Sequence, residues 1–127
     1  TSVERAEDMI ALGAGRIVNI KPGRVGGFRQ SLAIHDHCRA HGVPVWCGGL
    51  LESGIGRAHN VALASLPNFT LPGDLSPSER YWDRDIVIPE WTMDEGGGMR
   101  VPRDSPGLGV EVDRDRIDDL TVRRAEL

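Results

Sequence analysis

The sequence predicts an α/β protein that supplies the last units of a larger barrel with parallel strands. Three observations lead to this prediction: helix-like and strand-like segments alternate three times, the connections are short, and each strand-like segment ends in a turn signature. This order is typical of parallel βα units joined by right-handed crossovers. Because three strands alone would leave two bare sheet edges, we expect the sheet to continue in other chain segments.

The first predicted elements are a helix over residues 3–12, a strand over 16–21 and a helix over 28–41. Ser2 is a typical N-cap for the first helix. The strand is apolar and β-branched, as expected of a buried parallel strand. Pro22 follows the strand and makes the chain leave the sheet at that point.

The next predicted elements are a strand over residues 43–46, a helix over 56–65 and a strand over 68–71. Glycine or proline follows each of them, which is typical of the end of an element. Residues 1–75 are therefore assigned to the last βα units of the barrel.

The remaining segment, residues 76–127, differs in composition, being rich in proline, glycine and charged residues. It contains short candidate strands at 85–88, 99–101 and 108–112 and a candidate helix near 116–120. This segment has too few large apolar residues to fold alone, so we expect it to pack on another domain.

The bulk properties exclude several classes of protein. With 39% hydrophobic residues, 27% charged residues and a formal net charge of −4, the chain is an unsuitable partner for nucleic acid or anionic membranes. Two isolated cysteines, Cys38 and Cys47, favour a reduced, cytoplasmic setting over a disulfide framework. The chain opens at Thr1 without an initiator methionine, on the threshold of a helix, so we expect it to belong to a longer protein.

Lys21 is the first candidate for chemistry, because it stands where the apolar strand stops. Open α/β sheets and α/β barrels place their reactive groups at the carboxyl ends of parallel strands. A lysine there can transfer protons if burial or a neighbouring positive charge draws its pKa towards neutrality. The alternative is a lysine that only extends from the strand end into water.

The glycine-rich stretch over residues 46–56 is the second candidate. Glycines at a strand end let a ligand approach the backbone, whose amides can bind a carboxylate. Three roles are open for Glu52: an acid, an ion-pair partner of Arg57, or a polar contact to the loop backbone. We interpret Cys47 as a small buried apolar residue rather than as a nucleophile.

The histidines allow a zinc interpretation, but neither an HExxH pattern nor a cysteine pair supports it. We therefore favour helix-surface and packing roles for all four, which are His35, His37, His41 and His59. Asp74 stands in a strand-end position and is open to a catalytic role or to an Asx turn.

Several motifs resemble those of one family. They are residues 20–27 (IKPGRVGG), 45–60 (VWCGGLLESGIGRAHN), 64–74 (ASLPNFTLPGD) and, in the tail, Val101-Pro102 and 106–110 (PGLGV). Together they resemble the o-succinylbenzoate synthase / N-acylamino acid racemase family of the enolase superfamily.

The resemblance implies the C-terminal part of a modified (β/α)7β barrel, whose tail returns to an α+β capping domain encoded upstream. It also implies removal of a proton α to a carboxylate of a small molecule, with Mg²⁺ or Mn²⁺ stabilising the enolate. Lys21 matches the second of two lysines that flank the substrate, Gly49 and Leu51 match the substrate-contacting loop, and Glu52 adjoins them. No residue of this chain matches a metal ligand, since those ligands and the Lys-x-Lys motif lie before Thr1. The full-length protein is expected to be a homo-oligomer, and the isolated chain is expected to be inactive.

Two other interpretations stay open. One is a non-catalytic barrel fragment that serves as an interaction or folding module. The other is a related activity of the superfamily, such as dipeptide epimerisation or cycloisomerisation. The residues do not separate dehydration from racemisation, because both use the same lysine pair and metal.

Overall fold

The computed structural model describes residues 2–49 and 51–125, in which helices and parallel strands alternate before an irregular tail. The elements in order are α1 (Val3–Ala11), β1 (Val18–Ile20), α2 (Pro22–Val25), α3 (Phe28–Ala40), β2 (Val45–Cys47), α4 (Gly54–Ala64), a 3-10 turn (Ser78–Arg80), β3 (Val87–Ile88), β4 (Glu111–Val112) and α5 (Arg114–Leu120). Of the helices in this part of the chain, none is long and apolar enough to span a bilayer.

The helices of the barrel part begin and end close to where the sequence predicts. The side chain of Ser2 caps α1 by accepting a hydrogen bond from the amide of Arg5 at 3.3 Å. The helix α4 begins two residues earlier than predicted, because the hydroxyl of Ser53 caps it by accepting a hydrogen bond from Gly56. The short helix α2 was not predicted and begins at Pro22, whose fixed φ suits the first helical position.

The strands β1 and β2 pair in parallel, with Val18 opposite Val45 and Ile20 opposite Cys47. Strand residues two apart share one face, so Ile20, Val45 and Cys47 are all fully buried in one core with residues of α3 and α4. The opposite face carries Asn19, which is exposed. On this face the paired residue Trp46 is half-buried. The expectation of burial on both faces of β1 is therefore not met at Asn19 in the described part of the chain.

The third predicted strand, over residues 68–71, is reduced to two isolated parallel bridges beside β2. These bridges pair Val45 with Phe69 and Gly48 with Asp74. Five steps along the chain separate Phe69 from Asp74, whereas three steps separate their partners on β2. The two extra residues cannot join a regular ladder, so the segment bulges out and leaves the sheet between the bridges.

The tail packs on α4 through a second apolar core. This core joins Val87 and Trp91 of the tail to Ala58 and Val61 of α4, and all four are buried. Within the tail, β3 and β4 pair antiparallel.

The tail predictions are met only in part. Two of the three candidate tail strands are confirmed in shortened form, as β3 and β4, whereas residues 99–101 form no strand. The predicted tail helix is confirmed and begins at Arg114.

At Gly54, α4 lies close to the tail, and replacement of this residue tests the packing. A Cβ atom on Gly54 would lie 2.1 Å from Cγ2 of Val87 and 2.9 Å from Oδ2 of Asp85. We therefore expect Gly54→Ala to lower the free energy of unfolding by about 1–3 kcal/mol, the usual cost of overpacking.

Urea unfolding of the protein that carries this chain, followed by circular dichroism, measures the effect. Gly23→Ala is the matched control, because a Cβ atom on Gly23 meets nothing within 4 Å and its φ is not positive. We expect that change to be neutral or stabilising by less than about 1 kcal/mol. Equal losses in the two variants would contradict the packing described for Gly54.

Candidate active site

The carboxyl ends of β1 and β2 and the segment that ends at Asp74 meet at one edge of the sheet. The amide of Gly48 donates to the carbonyl of Ile20 at 3.1 Å, and the amide of Asp74 donates to the carbonyl of Cys47 at 2.8 Å. These bonds bring Lys21, Gly49 and Asp74 to the same edge. Lys21 directly follows β1, Gly49 follows the bridge residue Gly48, and Asp74 is the partner of Gly48 in that bridge. This is the edge at which barrels carry their reactive groups.

Lys21 lies at the junction of β1 and α2 and is the only lysine of the chain. Its backbone is extended, with φ −122° and ψ 105°, and its side chain is half-buried. Its carbonyl accepts hydrogen bonds from the amides of Arg24 and Val25, which fix the first turn of α2. Lys21 also lines an open groove of about 300 Å³ between α1 and β1, to which Ser2 and Asn19 contribute.

The charged side chains near this edge affect the pKa of the Cys47 thiol. Burial, with smaller contributions from the negative charges of Glu52 and Asp74, raises the pKa of Cys47 to about 12, and the positive charge of Lys21 opposes this rise. Three charged side chains thus act on one buried sulfur atom at the end of β2. The thiol remains protonated at neutral pH, which agrees with the apolar packing role expected for Cys47.

The glycine pair after β2 leaves no room for side chains. A Cβ atom on Gly48 would lie 2.7 Å from Oδ1 of Asn19, and one on Gly49 would lie 2.8 Å from the carbonyl oxygen of Asp74. The amide group of Asn60 on α4 also approaches Gly49, with Nδ2 3.0 Å from the same Cβ position. The space beside Gly49 is therefore filled by the carbonyl of Asp74 and by side chains of its neighbours, and Gly49 is buried.

Leu51 and Glu52 continue this loop in an unusual conformation. Leu51 has a φ of +56°, the left-handed region that favours glycine, and its side chain is 69% exposed. Such a residue costs about 1–2 kcal/mol and persists only where neighbouring contacts hold it.

Glu52 follows directly and is half-buried. Its carboxylate lies against the first turn of α4, because a Cβ atom on Gly56 would meet Oε2 of Glu52 at 2.1 Å.

The predicted alternative of an ion pair between Glu52 and Arg57 is wrong. Arg57 donates from Nη1 to Oδ2 of Asp85 at 3.2 Å, and both side chains are 1% exposed. Its contact with Glu52 is a hydrogen bond from Nη2 to the backbone carbonyl at 3.1 Å. Arg57 pairs with Asp85 rather than with Glu52 because a buried guanidinium needs a buried counter-ion.

A buried polar group, which we call the Arg57 cluster, anchors the loop to the tail. It consists of Arg57, Ser78 and Asp85, with the hydroxyl of Ser78 donating to Oδ2 of Asp85 at 2.6 Å. Asp85 also accepts from the amide of Gly54 at 2.8 Å. Sequence reasoning missed this cluster, since its members are up to 28 residues apart and no motif spacing links them.

The histidines occupy packing and surface positions, as favoured from the sequence. His35 is buried and stacks on Phe69 at 5.6 Å between ring centroids, and His37 lies against His41 at 4.3 Å. His59 is exposed on α4. Within residues 2–49 and 51–125, no group of three His, Cys, Asp or Glu side chains is arranged to hold a metal ion.

The structure has the features that the sequence motifs imply. These are parallel strands, a single lysine at a strand end and a double-glycine turn at the same edge of the sheet. The profile of the family described as "Enolase C-terminal domain-like" matches residues 1–116. The chain belongs to this family. The predicted fold class, the C-terminal part of an enolase-type α/β barrel, is confirmed.

Known relatives confirm the narrower resemblance as well. The chain is 58% identical to an o-succinylbenzoate synthase of Bacillus subtilis over 90% of its own length and 30% of that protein. It is 54% identical to an N-succinylamino acid racemase of an Amycolatopsis species, over 97% of its length and 33% of that protein.

A crystal structure of an enolase-superfamily member from Listeria innocua superimposes with a TM-score of 0.87 at 41% identity. The alignment covers 93% of this chain and 31% of that one. The chain thus spans about a third of the length of the relatives it matches.

The high pKa of Cys47 predicts its behaviour towards thiol reagents. Because burial and the neighbouring carboxylates keep the thiol protonated up to about pH 12, we expect no alkylation of native Cys47 by iodoacetamide at pH 8. Peptide mass spectrometry after timed labelling measures this, and labelling in denaturant is the positive control. Rapid modification of Cys47 in the native protein would contradict the buried, protonated thiol.

The Arg57 cluster predicts a large stability effect of one isosteric substitution. Asp85→Asn removes the counter-charge and leaves the guanidinium of Arg57 buried and unpaired, so we expect a loss of about 3–5 kcal/mol in unfolding free energy. Asp104→Asn is the matched control, because its partner Arg100 is exposed and the pair is 3.8 Å apart. We expect no measurable change there. Urea unfolding of both variants tests the cluster. Equal losses of stability in the two variants would contradict it.

Proposed function

We propose that this chain is the C-terminal part of an enzyme that removes the proton α to a carboxylate, acting as an o-succinylbenzoate synthase, an N-acylamino acid racemase or both. The observation that carries the proposal is the position of Lys21. The chain's single lysine stands at the carboxyl end of β1, on the same strand edge as the glycine turn after β2. Relatives 52–58% identical bear these two activity names.

In this proposal Lys21 acts on one face of the substrate, and a lysine from the upstream part of the protein acts on the other. In racemisation, the amine of Lys21 takes the α-proton from one enantiomer, and the ammonium of the opposite lysine delivers a proton to the other face to form the second enantiomer. In the reverse direction the opposite lysine is the base and the ammonium of Lys21 is the acid. In dehydration, its ammonium lies beside the anionic intermediate as a fixed positive charge.

The glycine turn supplies the binding surface. We propose that Gly49 and Leu51 contact the substrate and that Glu52 flanks it. Gly49 is buried and its Cβ position is filled by the carbonyl of Asp74, whereas the side chain of Leu51 is 69% exposed and is open to a bound molecule.

The proposed cofactor, Mg²⁺ or Mn²⁺, would have to be held by carboxylates outside this chain. The described residues do not fit a metal site, as no suitable group of donor side chains occurs among them. The role proposed for Lys21 therefore involves only its own proton and its own charge.

The tail is proposed to contact the α+β capping domain of the full-length protein. Several apolar side chains of the tail are exposed in this structure, including Ile88, Val112 and Leu120. Apolar surface of this kind favours a covering partner. Free Cys38 and Cys47 support the proposed cytoplasmic location.

Replacing Lys21 in the full-length protein tests its role. For the enantiomer whose α-proton faces Lys21, we expect Lys21→Ala to slow exchange of that proton with deuterium from D₂O by about 10²–10⁴-fold, the usual contribution of a general acid–base group. Nuclear magnetic resonance of an N-succinylamino acid measures the exchange, and ultraviolet absorbance follows formation of o-succinylbenzoate. Calorimetric titration with Mg²⁺ should be unaffected.

Arg16→Ala is the matched control, because it removes an exposed positive charge that lies just before the amino end of β1. We expect near-normal exchange in that variant. Racemisation at an unchanged rate in Lys21→Ala would remove Lys21 from the mechanism, and failure of the unmodified full-length protein on both substrates would refute the proposed function.

A further inference from the structure

Two donors converge on the backbone carbonyl of Glu52. One is Nη2 of Arg57 on α4, and the other is the indole Nε1 of Trp82 in the tail, each at 3.1 Å. A carbonyl oxygen has two lone pairs, so these two bonds fill its acceptor capacity. The carbonyl is thereby fixed in both position and direction.

This fixed carbonyl directly follows the strained residue of the loop. Leu51 has the left-handed φ of +56°, which an unrestrained leucine leaves for a more favourable conformation. Residues in such conformations persist where the surrounding structure over-determines them. The two bonds to Glu52 supply that restraint on the C-terminal side of Leu51.

The two donors differ in their surroundings. Arg57 belongs to the buried cluster with Asp85 and Ser78, so its removal would disturb the core. Trp82 is 41% exposed, and its indole N–H reaches the loop from the surface. The Trp82 bond therefore acts on the loop with little effect on the core.

We propose that Trp82 is a positioning residue, which holds the substrate-facing residues Gly49, Leu51 and Glu52 in their working conformation through the carbonyl of Glu52. This inference rests on the proposed function, because it assigns a role within that same site. It gives the tail a part in catalysis: a residue beyond position 75 sets the geometry of a loop that belongs to the barrel.

Trp82→Phe in the full-length protein tests the role, because it removes the indole N–H and keeps an aromatic ring. We expect KM for the N-succinylamino acid to rise about 2- to 12-fold, the worth of one hydrogen bond. We expect kcat to stay within about twofold and the urea unfolding midpoint to be unchanged, as is usual for exposed positions.

Trp91→Phe is the matched control. It deletes the same kind of bond, from the buried indole of Trp91 to the carbonyl of Gly54 at 2.9 Å. There we expect a lower unfolding midpoint and an unchanged KM. An unchanged KM in Trp82→Phe, or a KM change that only accompanies lost stability, would overturn the inference.

Hydrogen exchange provides a readout that does not depend on activity. We expect the amides of residues 51–56 to exchange faster in Trp82→Phe, whereas those of α3 keep their protection. Unchanged exchange in the loop would overturn the inference even in an active enzyme. Absence of activity in the unmodified protein would instead refute the proposed function, and the exchange result would still decide whether Trp82 restrains the loop.

Discussion

The ion pair between Arg57 and Asp85 is the interaction on which the rest of this structure depends. Two charges removed from water are stabilising only when their remaining hydrogen-bonding groups are also satisfied. Ser78 and the amide of Gly54 do this for the carboxylate. The carbonyl of Glu52 does it for Nη2 of the guanidinium, whereas Nε of Arg57 is buried without a hydrogen-bond partner. The pair thus needs the start of α4, the glycine-rich loop and the tail together.

The same interaction links the two segments into which composition divides the chain. Composition separates residues 1–75 from 76–127, and the tail is indeed irregular. Yet Val87 and Trp91 share an apolar core with α4, and Asp85 supplies its buried counter-ion. The tail therefore stabilises the barrel segment, and a boundary drawn from composition does not mark an independent folding unit.

Much of the fold was predictable because it follows local rules. Capping, apolar spacing and proline position predicted the helices and placed Lys21 at a strand end. Glycine content identified the loop after β2, and motif resemblance added the roles of Gly49 and Leu51. The predictions that failed concern contacts between residues that are far apart in the sequence. The strand over 68–71 is broken by two surplus residues that only the partner strand reveals, and Arg57 selects Asp85 over nearby Glu52 because of burial. The strain at Leu51 has no signature in sequence, since leucine rarely adopts that φ.

The crowding around Gly49 has a consequence for mutation. The carbonyl of Asp74 is a backbone atom, so no rotation of a side chain makes space for a Cβ atom beside Gly49. Any larger residue at this position must displace the segment at Asp74 that bridges to Gly48. The sheet itself therefore restricts change at this turn, whatever molecule the full-length protein binds.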